Sequence, residues 1–164
     1  MPDPSLTRPA HTDELTPQEL LIEIEAIRWL EGRRIRALDE HTWDMYEALH
    51  APDYYADNDG EAPIHGSAAN AARLRKLYDA VGMVSVHHVH SQEIVLTSAT
   101  TATGIWAMED RLYWTWNGRD HWLHGFGFYH ETYRKQGDAW LFATRRLRRT
   151  RETRSPGAEM PEFR

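Results

Sequence analysis

Residues 100–133, TTATGIWAMEDRLYWTWNGRDHWLHGFGFYHETY, carry the clearest structural signal in this chain. The segment is rich in β-branched and aromatic residues, which favour strands. Asn117-Gly118 lies between its two halves, and an Asn-Gly pair favours the two-residue turn of a β-hairpin. We therefore predict two long antiparallel strands, Thr100 to Trp116 and Asp120 to Tyr133, joined by this turn.

Alternating patterns on both sides extend this hairpin into a meander. Residues Met83 to Leu96 alternate in polarity and predict a long strand before the hairpin. Gln136-Gly137-Asp138 predicts a turn, followed by a last strand from Trp140 to Arg149. Glycines inside strands are typical of bulges and bends that curl a sheet, and here they are Gly104, Gly125 and Gly127.

The apolar period is helical in the first half of the chain. Thr16-Pro17-Gln18-Glu19 has the features of a helix start, namely a capping residue, a first-position proline and a capping-box glutamate. The apolar stripe that follows predicts a helix to about Leu38. Two more helices are expected, one from Thr42 to Leu49 and one that Ser67 caps at its start and Gly82 at its end.

Helices followed by a meander predict an α+β fold, in which about three N-terminal helices pack on a strongly curved, mostly antiparallel sheet. A chain of 164 residues fits one domain. We expect this domain to cover residues 16–150, with flexible tails at 1–15 and 151–164 that are rich in proline or polar residues.

Composition excludes several classes of protein. The formal net charge of -6 argues against nucleic acid as the main partner, because phosphate binding needs clustered Lys and Arg. The absence of cysteine excludes disulfides, thiolate nucleophiles and iron-sulfur clusters. No stretch approaches the roughly 20 apolar residues that span a bilayer, and the N-terminus lacks the pattern of a signal peptide. We expect a cytoplasmic protein with no membrane or nucleic-acid partner.

Histidines on the first long strand are candidates for proton transfer. Alternation places His87 on one face and both His88 and His90 on the other. An inward His87 close to a buried carboxylate could remove a proton near neutral pH, since an unperturbed histidine has a pKa of about 6.5. Asp39 follows the first helix, and its carboxylate can reach inward. The alternatives are exposed histidines without a role, a helix-capping Asp39, and a metal site at His88 and His90 for which no third ligand is specified.

Asp110 lies on an apolar face of its predicted strand and therefore needs a partner. It could pair with an arginine of the last strand or take part in a site. The C-terminal arginines could bind an anionic group or nucleic acid, or form a solvated strand end: Arg145, Arg146, Arg148, Arg149, Arg151 and Arg154. Either Arg145 or Arg148 could face inward. No phosphate-binding loop, Gly-x-Ser-x-Gly elbow or His-Glu-x-x-His helix is present.

Seven short segments between about Ile22 and Arg149 resemble a known family in their order and spacing: Ile24-Glu25-Ala26-Ile27, Arg36-Ala37-Leu38-Asp39, Trp43-Asp44, Thr101-Ala102-Thr103-Gly104-Ile105-Trp106, Glu109-Asp110, Gly127-Phe128-Tyr129-His130-Glu131-Thr132-Tyr133 and Gly137-Asp138-Ala139-Trp140. The family is the SnoaL-like branch of the nuclear transport factor 2-like superfamily. Within it the chain looks most similar to bile-acid 7-alpha-dehydratases and, more distantly, to scytalone dehydratases.

The resemblance implies a cone-shaped fold, a homodimer or homotrimer, and a pocket inside the cone. It also implies that Asp39 and His87 form a catalytic pair, with Asp110 and Arg148 as further members. These dehydratases carry a tyrosine where this chain has Arg34. Arginine can stabilise an oxyanion but cannot hand over a proton, so another donor, such as Tyr54, Tyr55 or Tyr129, would have to replace the tyrosine.

Together these features predict a cofactor-independent dehydratase that acts on a small hydrophobic, steroid-like or polyketide-like molecule. His87, oriented by Asp39, would remove a proton next to a carbonyl, and Asp110 or Arg34 would assist the leaving group or the enolate. No metal or organic cofactor is expected. The aromatic residues expected to contact the substrate are Tyr54, Tyr55, Trp106, Phe126 and Tyr129. An isomerase or cyclase, and a binding or assembly module without turnover, are the alternatives.

Overall fold

The computed structural model of the chain describes residues 10–58 and 62–159. Its helices are α1 (Pro17–Asp39), α2 (Trp43–Ala48) and α3 (Ser67–Val81). Its strands are β1 (His50–Asn58), β2 (Ile64–His65), β3 (Val84–Leu96), β4 (Thr101–Trp116), β5 (Arg119–Gln136) and β6 (Ala139–Arg154). Three helices pack on one curled, unclosed and mostly antiparallel sheet, which confirms the predicted fold class.

The sheet has six strands in the order β2-β1-β6-β5-β4-β3. Strands β3 to β6 form the predicted meander, with β4 and β5 joined at Asn117-Gly118. Strands β1 and β2 were not predicted. β1 contains Pro52 and lacks clean alternation, so its strand character comes from parallel pairing with β6 rather than from its own pattern.

The helix ends form as the local sequence predicts, except at the start of α3. Thr16 and Glu19 form the predicted capping box of α1. Gly82 ends α3 in the left-handed conformation with φ 59°, as glycine allows. The predicted Ser67 cap is wrong, because Ser67 is the first residue of α3 and the cap position is taken by Gly66, which makes no side-chain hydrogen bond.

Register shifts bend the long strands. One shift in the β5–β6 ladder pairs Gly127 with Arg149 and Phe126 with Arg151. A side chain at Gly127 would meet the backbone of the facing strand, so only glycine fits this close approach. Beyond the shift Glu152 takes the inward position that alternation would have given to Arg151, and β6 continues to Arg154 rather than ending at the predicted Arg149.

The helices cover only one of the two faces of the sheet. The concave face carries the buried core together with the helices, including Trp106, Tyr129 and Phe142. The opposite face leaves large apolar side chains exposed, namely Val84, Val86, Tyr113, Phe126 and Phe128. We call this set the outer face.

The terminal segments are described in part. The Thr12 backbone N–H donates to the Leu96 carbonyl, and the Leu96 N–H donates to the His11 ring, so this stretch contacts the end of β3. The rest of the predicted N-terminal tail, residues 1–9, and residues 160–164 of the predicted C-terminal tail lie outside the described residues. Among the described helices, none has both the length and the apolar character needed to cross a bilayer.

Candidate active site

A cavity of about 360 Å³ lies between the helices and the concave face of the sheet. Apolar side chains form much of its wall, including Leu38, Leu74, Leu77, Met83, Leu112, Leu123 and Leu147. Polar and charged groups reach it from several elements: Asn58 from β1, Asn70 and Arg73 from α3, His87 from β3, Asp110 from β4, Tyr129 from β5, and Arg145, Arg149, Glu152 and Arg154 from β6. A cavity in which polar groups converge among apolar side chains is the usual form of a small-molecule site.

Asp39 and His87 are in direct contact at this cavity. Asp39 is the last residue of α1, where the side chain extends past the helix toward β3. Its Oδ1 atom lies 2.6 Å from Nδ1 of His87 and accepts a hydrogen bond from the Ser85 hydroxyl at 2.7 Å. Its Oδ2 atom accepts the backbone N–H of His87 at 2.9 Å. Alternation along β3 puts Ser85 and His87 on the same inward face.

The contacts of Asp39 keep it ionised. Partial burial would raise the pKa of this carboxyl, but the hydrogen bonds and charge of His87, together with the Ser85 hydroxyl, outweigh burial and hold the pKa below its usual value. An ionised carboxylate only accepts hydrogen bonds, so Nδ1 of His87 must carry the proton between them. The other ring nitrogen, Nε2, of a neutral His87 then has a free lone pair.

Asp110 faces His87 across the sheet, since the two residues are paired in the β3–β4 ladder. Its carboxylate accepts two hydrogen bonds from Arg149, at 2.7 Å from Nη2 and 3.1 Å from Nη1. Arg149 Nε also lies 3.3 Å from Glu152. Asp110 therefore forms the ion pair with an arginine of the last strand that was one of the two sequence interpretations.

A second group of charges lies at the inner end of the cavity. Arg145 Nε lies 3.2 Å from Glu131 Oε1, and the Tyr133 hydroxyl donates to Glu131 Oε2 at 2.5 Å. Burial, with the nearby charge of Glu31, raises the pKa of Glu131 to about 7, although Arg145 opposes this shift. The guanidinium of Arg145 also lies 4.8 Å from the ring centre of Tyr129.

Arg34 and Arg148, both expected at the site, do not reach the cavity. Arg34 is fully buried beneath Tyr129, where its Nη2 lies 2.5 Å from Glu31 Oε1, so it cannot contact a substrate in the cavity. Arg148 points to the outer side of β6 and its Nη2 donates to Asp57 at 2.7 Å. Alternation explains the difference, because Arg145 and Arg149 share the inward face and Arg148 does not.

Of the aromatic residues expected to contact a substrate, some line the cavity and others lie elsewhere. Tyr54 and Tyr129 line the cavity. Tyr55 turns away from it and stacks edge-on against His65. Trp106 is buried elsewhere in the core, where its indole N–H donates to Tyr133, and Phe126 lies on the outer face.

Sequence reasoning missed Ser85, Tyr46 and Arg149 as residues of the site. Ser85 could have been found from its alternation with His87, and Arg149 from its alternation with Arg145. Tyr46 gave no signal beyond its place on the apolar side of a short helix. His88 and His90 are exposed on the other side of β3, and within residues 10–58 and 62–159 no three His, Asp or Glu side chains are grouped to hold a metal ion.

Residues 19–146 match the family model of the SnoaL-like domain. This protein belongs to the SnoaL-like family. Its fold is similar to that of a scytalone dehydratase-like protein from Novosphingobium aromaticivorans, with a TM-score of 0.76 and 22% identity over 88% of this chain and 95% of that one.

Two further solved structures share the SnoaL-like fold of this chain. Hexachlorocyclohexane dehydrochlorinase LinA type 2 aligns with a TM-score of 0.75 and 15% identity over 90% of this chain and 98% of its own. ActVI-ORFA from Streptomyces coelicolor aligns with a TM-score of 0.64 and 15% identity over 77% and 96%, respectively. Identities this low establish a common fold.

Proposed function

We propose that this SnoaL-like protein is a cofactor-independent dehydratase that acts on a small hydrophobic molecule of the steroid or polyketide kind. The observation that carries the proposal is the 2.6 Å contact between His87 Nδ1 and Asp39 Oδ1 at the wall of a cavity of about 360 Å³ that both apolar and polar side chains line. A histidine held by a carboxylate is a general base that works near neutral pH. The sequence resemblance to bile-acid 7-alpha-dehydratases supports the same choice.

The proton transfer follows from the arrangement of His87. Its Nε2 removes a proton from a substrate carbon made acidic by a neighbouring carbonyl, and Asp39 stabilises the imidazolium that forms. The electron pair of the broken C–H bond forms a C=C bond as the adjacent C–O bond breaks. The leaving hydroxide takes the proton from the imidazolium and departs as water, which returns His87 to its neutral form.

Arg149 and Asp110 have a supporting part in this proposal. The carboxylate of Asp110 holds the Arg149 guanidinium at the cavity wall through two hydrogen bonds, opposite His87 in the sheet. A fixed cation there stabilises negative charge that develops on the substrate oxygen. Arg149 thus takes the place that the sequence assigned to Arg148, and Asp110 orients it rather than acting as an acid.

Two neighbours in fold carry names of elimination enzymes, a dehydratase and a dehydrochlorinase. Both reactions remove a proton and a leaving group from adjacent carbons, which favours elimination over other uses of the same base. A binding module without turnover would be expected to fill the cavity or to separate the two residues. The contact between Asp39 and His87, with His87 only 7% exposed, favours catalysis instead.

We also propose that the protein is a homodimer formed through the outer face. Val84, Val86, Tyr113, Phe126 and Phe128 are each between 39% and 60% exposed on neighbouring strands β3, β4 and β5. The register places Glu109, Arg111 and His124 of the same face between Val84, Val86 and Tyr113 and the two phenylalanines, so the apolar surface has two parts. Exposed apolar side chains grouped in this way mark interaction surfaces in proteins. Burial against a second copy would remove these side chains from water.

The catalytic proposal is tested with a panel of hydrophobic β-hydroxy ketones, with products identified by mass spectrometry. Loss of one water identifies dehydration, and an unchanged mass with an altered chromatogram identifies isomerisation or cyclisation. Replacing the base, in His87→Gln, should lower turnover by about 100-fold or more. Asp39→Asn should do the same, since the amide leaves the imidazolium without its carboxylate.

The matched control is His88→Gln, which changes the next histidine of the same strand on its opposite, exposed side. It should turn over at the rate of the unchanged protein. If His87→Gln folds and keeps full turnover, His87 is not the base and the proposed mechanism is wrong.

A further inference from the structure

Arg145 is a buried cation at the cavity that the proposed elimination does not use. It lies on β6, is 7% exposed, and contributes to the cavity wall. Its neighbours in the sheet are Glu131 on β5 and Ala56 on β1. Charged side chains are rarely buried this deeply unless they are paired or bind something.

The pairing of Arg145 is incomplete. Its Nε and Nη2 atoms are buried and have no hydrogen-bond partner among the described residues. Glu131 lies 3.2 Å from Nε, but without the geometry of a hydrogen bond, and one of its oxygens is already bound by the Tyr133 hydroxyl. Burial and the nearby charge of Glu31 raise the pKa of Glu131, which favours its neutral form and weakens its pairing with Arg145. Glu131 therefore compensates the charge of Arg145 only in part.

Two tyrosines add hydroxyl groups beside Arg145. Tyr46 and Tyr54 line the same cavity, and both interact electrostatically with the Arg145 guanidinium. The Tyr46 hydroxyl accepts a hydrogen bond from the Asn70 side chain at 3.3 Å, so its own proton is left to donate elsewhere. A guanidinium with neighbouring hydroxyl donors matches the two oxygens of a carboxylate.

The position of Arg145 relative to His87 sets the length of the ligand. The two residues lie on β6 and β3, which are separated by β5 and β4 in the sheet. Three strand spacings amount to about 14 Å across the sheet. The register also places Arg145 level with Ile94 of β3, seven residues along that strand from His87, and the curl of the sheet brings both side chains to one cavity. Leucine and tyrosine make up about half of the residues that line it.

We propose that the substrate is a hydrophobic carboxylic acid, whose carboxylate binds Arg145 at the inner end of the cavity while its reacting carbon lies at His87. This inference rests on the proposed function, because it assigns the substrate class of that same site. A bound carboxylate would place a second negative charge beside the part of Arg145 that reaches the cavity and would fix the ring system against the apolar side chains of the wall.

The experiment compares 2-naphthoate with 2-naphthamide by isothermal titration calorimetry on the full chain. The two probes have the same ring and nearly the same shape, but only the first carries charge. The unchanged protein should bind the carboxylate about 10- to 100-fold more tightly, the range that charge-assisted hydrogen bonds supply. Equal affinity for the two probes overturns the inference.

Variants then show which residue causes the preference for the carboxylate probe. Arg145→Met should abolish it, whereas Arg148→Met, which removes an arginine from the outer side of the same strand, should leave it unchanged. Glu131→Gln should strengthen carboxylate binding several-fold, because the amide removes the negative charge that competes for Arg145. If Arg145→Met unfolds, the double variant Glu131→Gln/Arg145→Met removes both buried charges and tests the same point.

Two further results separate this inference from its alternatives. If Arg149→Met abolishes the preference and Arg145→Met does not, the carboxylate binds at Arg149 and the inference is wrong. His87→Gln should keep the preference for the carboxylate even though it loses turnover. If the protein prefers the carboxylate and His87→Gln does not lose turnover, the carboxylate site stands and only the catalytic proposal is contradicted.

Discussion

Asp39 receives three hydrogen bonds from two residues of β3. The Ser85 hydroxyl and the backbone N–H of His87 fix the carboxylate from two sides, and the His87 ring completes the set. Because both oxygens are held, the carboxylate cannot rotate away from the imidazole. The same donors lower the pKa of Asp39, so it stays ionised in the acidic range where an ordinary carboxyl begins to protonate.

Replacing Ser85 by alanine should weaken this arrangement without touching the substrate. We expect Ser85→Ala to raise the pKa of Asp39, because one donor to the charged form is lost. The carboxylate would then protonate at a higher pH, which NMR titration of the Asp39 side chain measures directly. Near pH 7, kcat should fall by about 2- to 10-fold, the cost of one hydrogen bond, with KM nearly unchanged.

Ser85→Thr keeps the hydroxyl and serves as the control for this prediction. It should return the pKa of Asp39 and the value of kcat to those of the original protein. A Ser85→Ala protein in which neither the Asp39 titration nor kcat changes would mean that Ser85 does not hold Asp39.

Arg34 illustrates how an element constrains a single residue. Sequence position alone placed it near the reacting group, but α1 directs it into the core, where it pairs with Glu31 one turn earlier. Both side chains are fully buried. Neither side chain of the pair lines the cavity.

At the level of elements, β4, β5 and β6 cooperate to place one ion pair. Asp110 and Arg149 reach each other across β5, and the residue of β5 between them is Gly125. A Cβ atom at Gly125 would collide with the Arg149 guanidinium and the Asp110 carboxylate. Because Gly125 has no side chain, the side chains of Asp110 on β4 and Arg149 on β6 can reach each other across β5.

Gly125→Ala should displace this ion pair. We expect a loss of about 1–3 kcal/mol in the free energy of unfolding, as for other overpacked sites, measured by urea denaturation. Turnover should fall as well, since Arg149 would leave its position opposite His87.

Gly32→Ala is the matched control, because the same substitution on α1 meets no atom within 4 Å. It should stabilise the protein by about 0.5–1 kcal/mol, since alanine costs less entropy than glycine in a helix. If Gly125→Ala is as stable as Gly32→Ala, the Asp110–Arg149 pair contributes little to the fold.

At the level of the whole molecule, the sheet is covered on one side only. The helices and the cavity occupy the concave side, and the outer face exposes aromatic and β-branched side chains. Phe126 and Phe128 lie near its middle, on the central strand β5. The proposed homodimer would bury them.

Phe128→Glu should therefore break the dimer. A buried aromatic anchor at an interface is worth about 2 kcal/mol or more, so the dimer Kd should rise by about 30-fold or more. Sedimentation equilibrium over a range of protein concentrations measures this change.

Trp29→Glu is the control, since Trp29 is 68% exposed on α1, away from the outer face. It should leave the dimer intact. If the protein without substitutions sediments as a monomer at all concentrations, the proposal of a homodimer through this face is wrong.

Local signals predicted much of this fold. The Asn117-Gly118 turn, the Thr16 capping box and the Gly82 helix end each depend on a few adjacent residues, and each formed as expected. Strand β1 was missed because its stability comes from β6, which is distant in sequence. Strand propensity depends on residues that are adjacent in the chain, so it does not report a partner strand that is distant in sequence.

The sequence by itself determined the α+β class, the order of helices and meander, and the separation of His87 from His88 and His90 on opposite faces of their strand, because side-chain alternation and capping are local properties. Only the tertiary structure decided which charges meet. It brought Ser85 and His87 to Asp39, paired Asp110 with Arg149 rather than leaving it free, buried Arg34, and turned Arg148 outward. Each of these outcomes depends on strand register and on the curl of the sheet, and a shift of one residue would have reversed which arginines face the cavity.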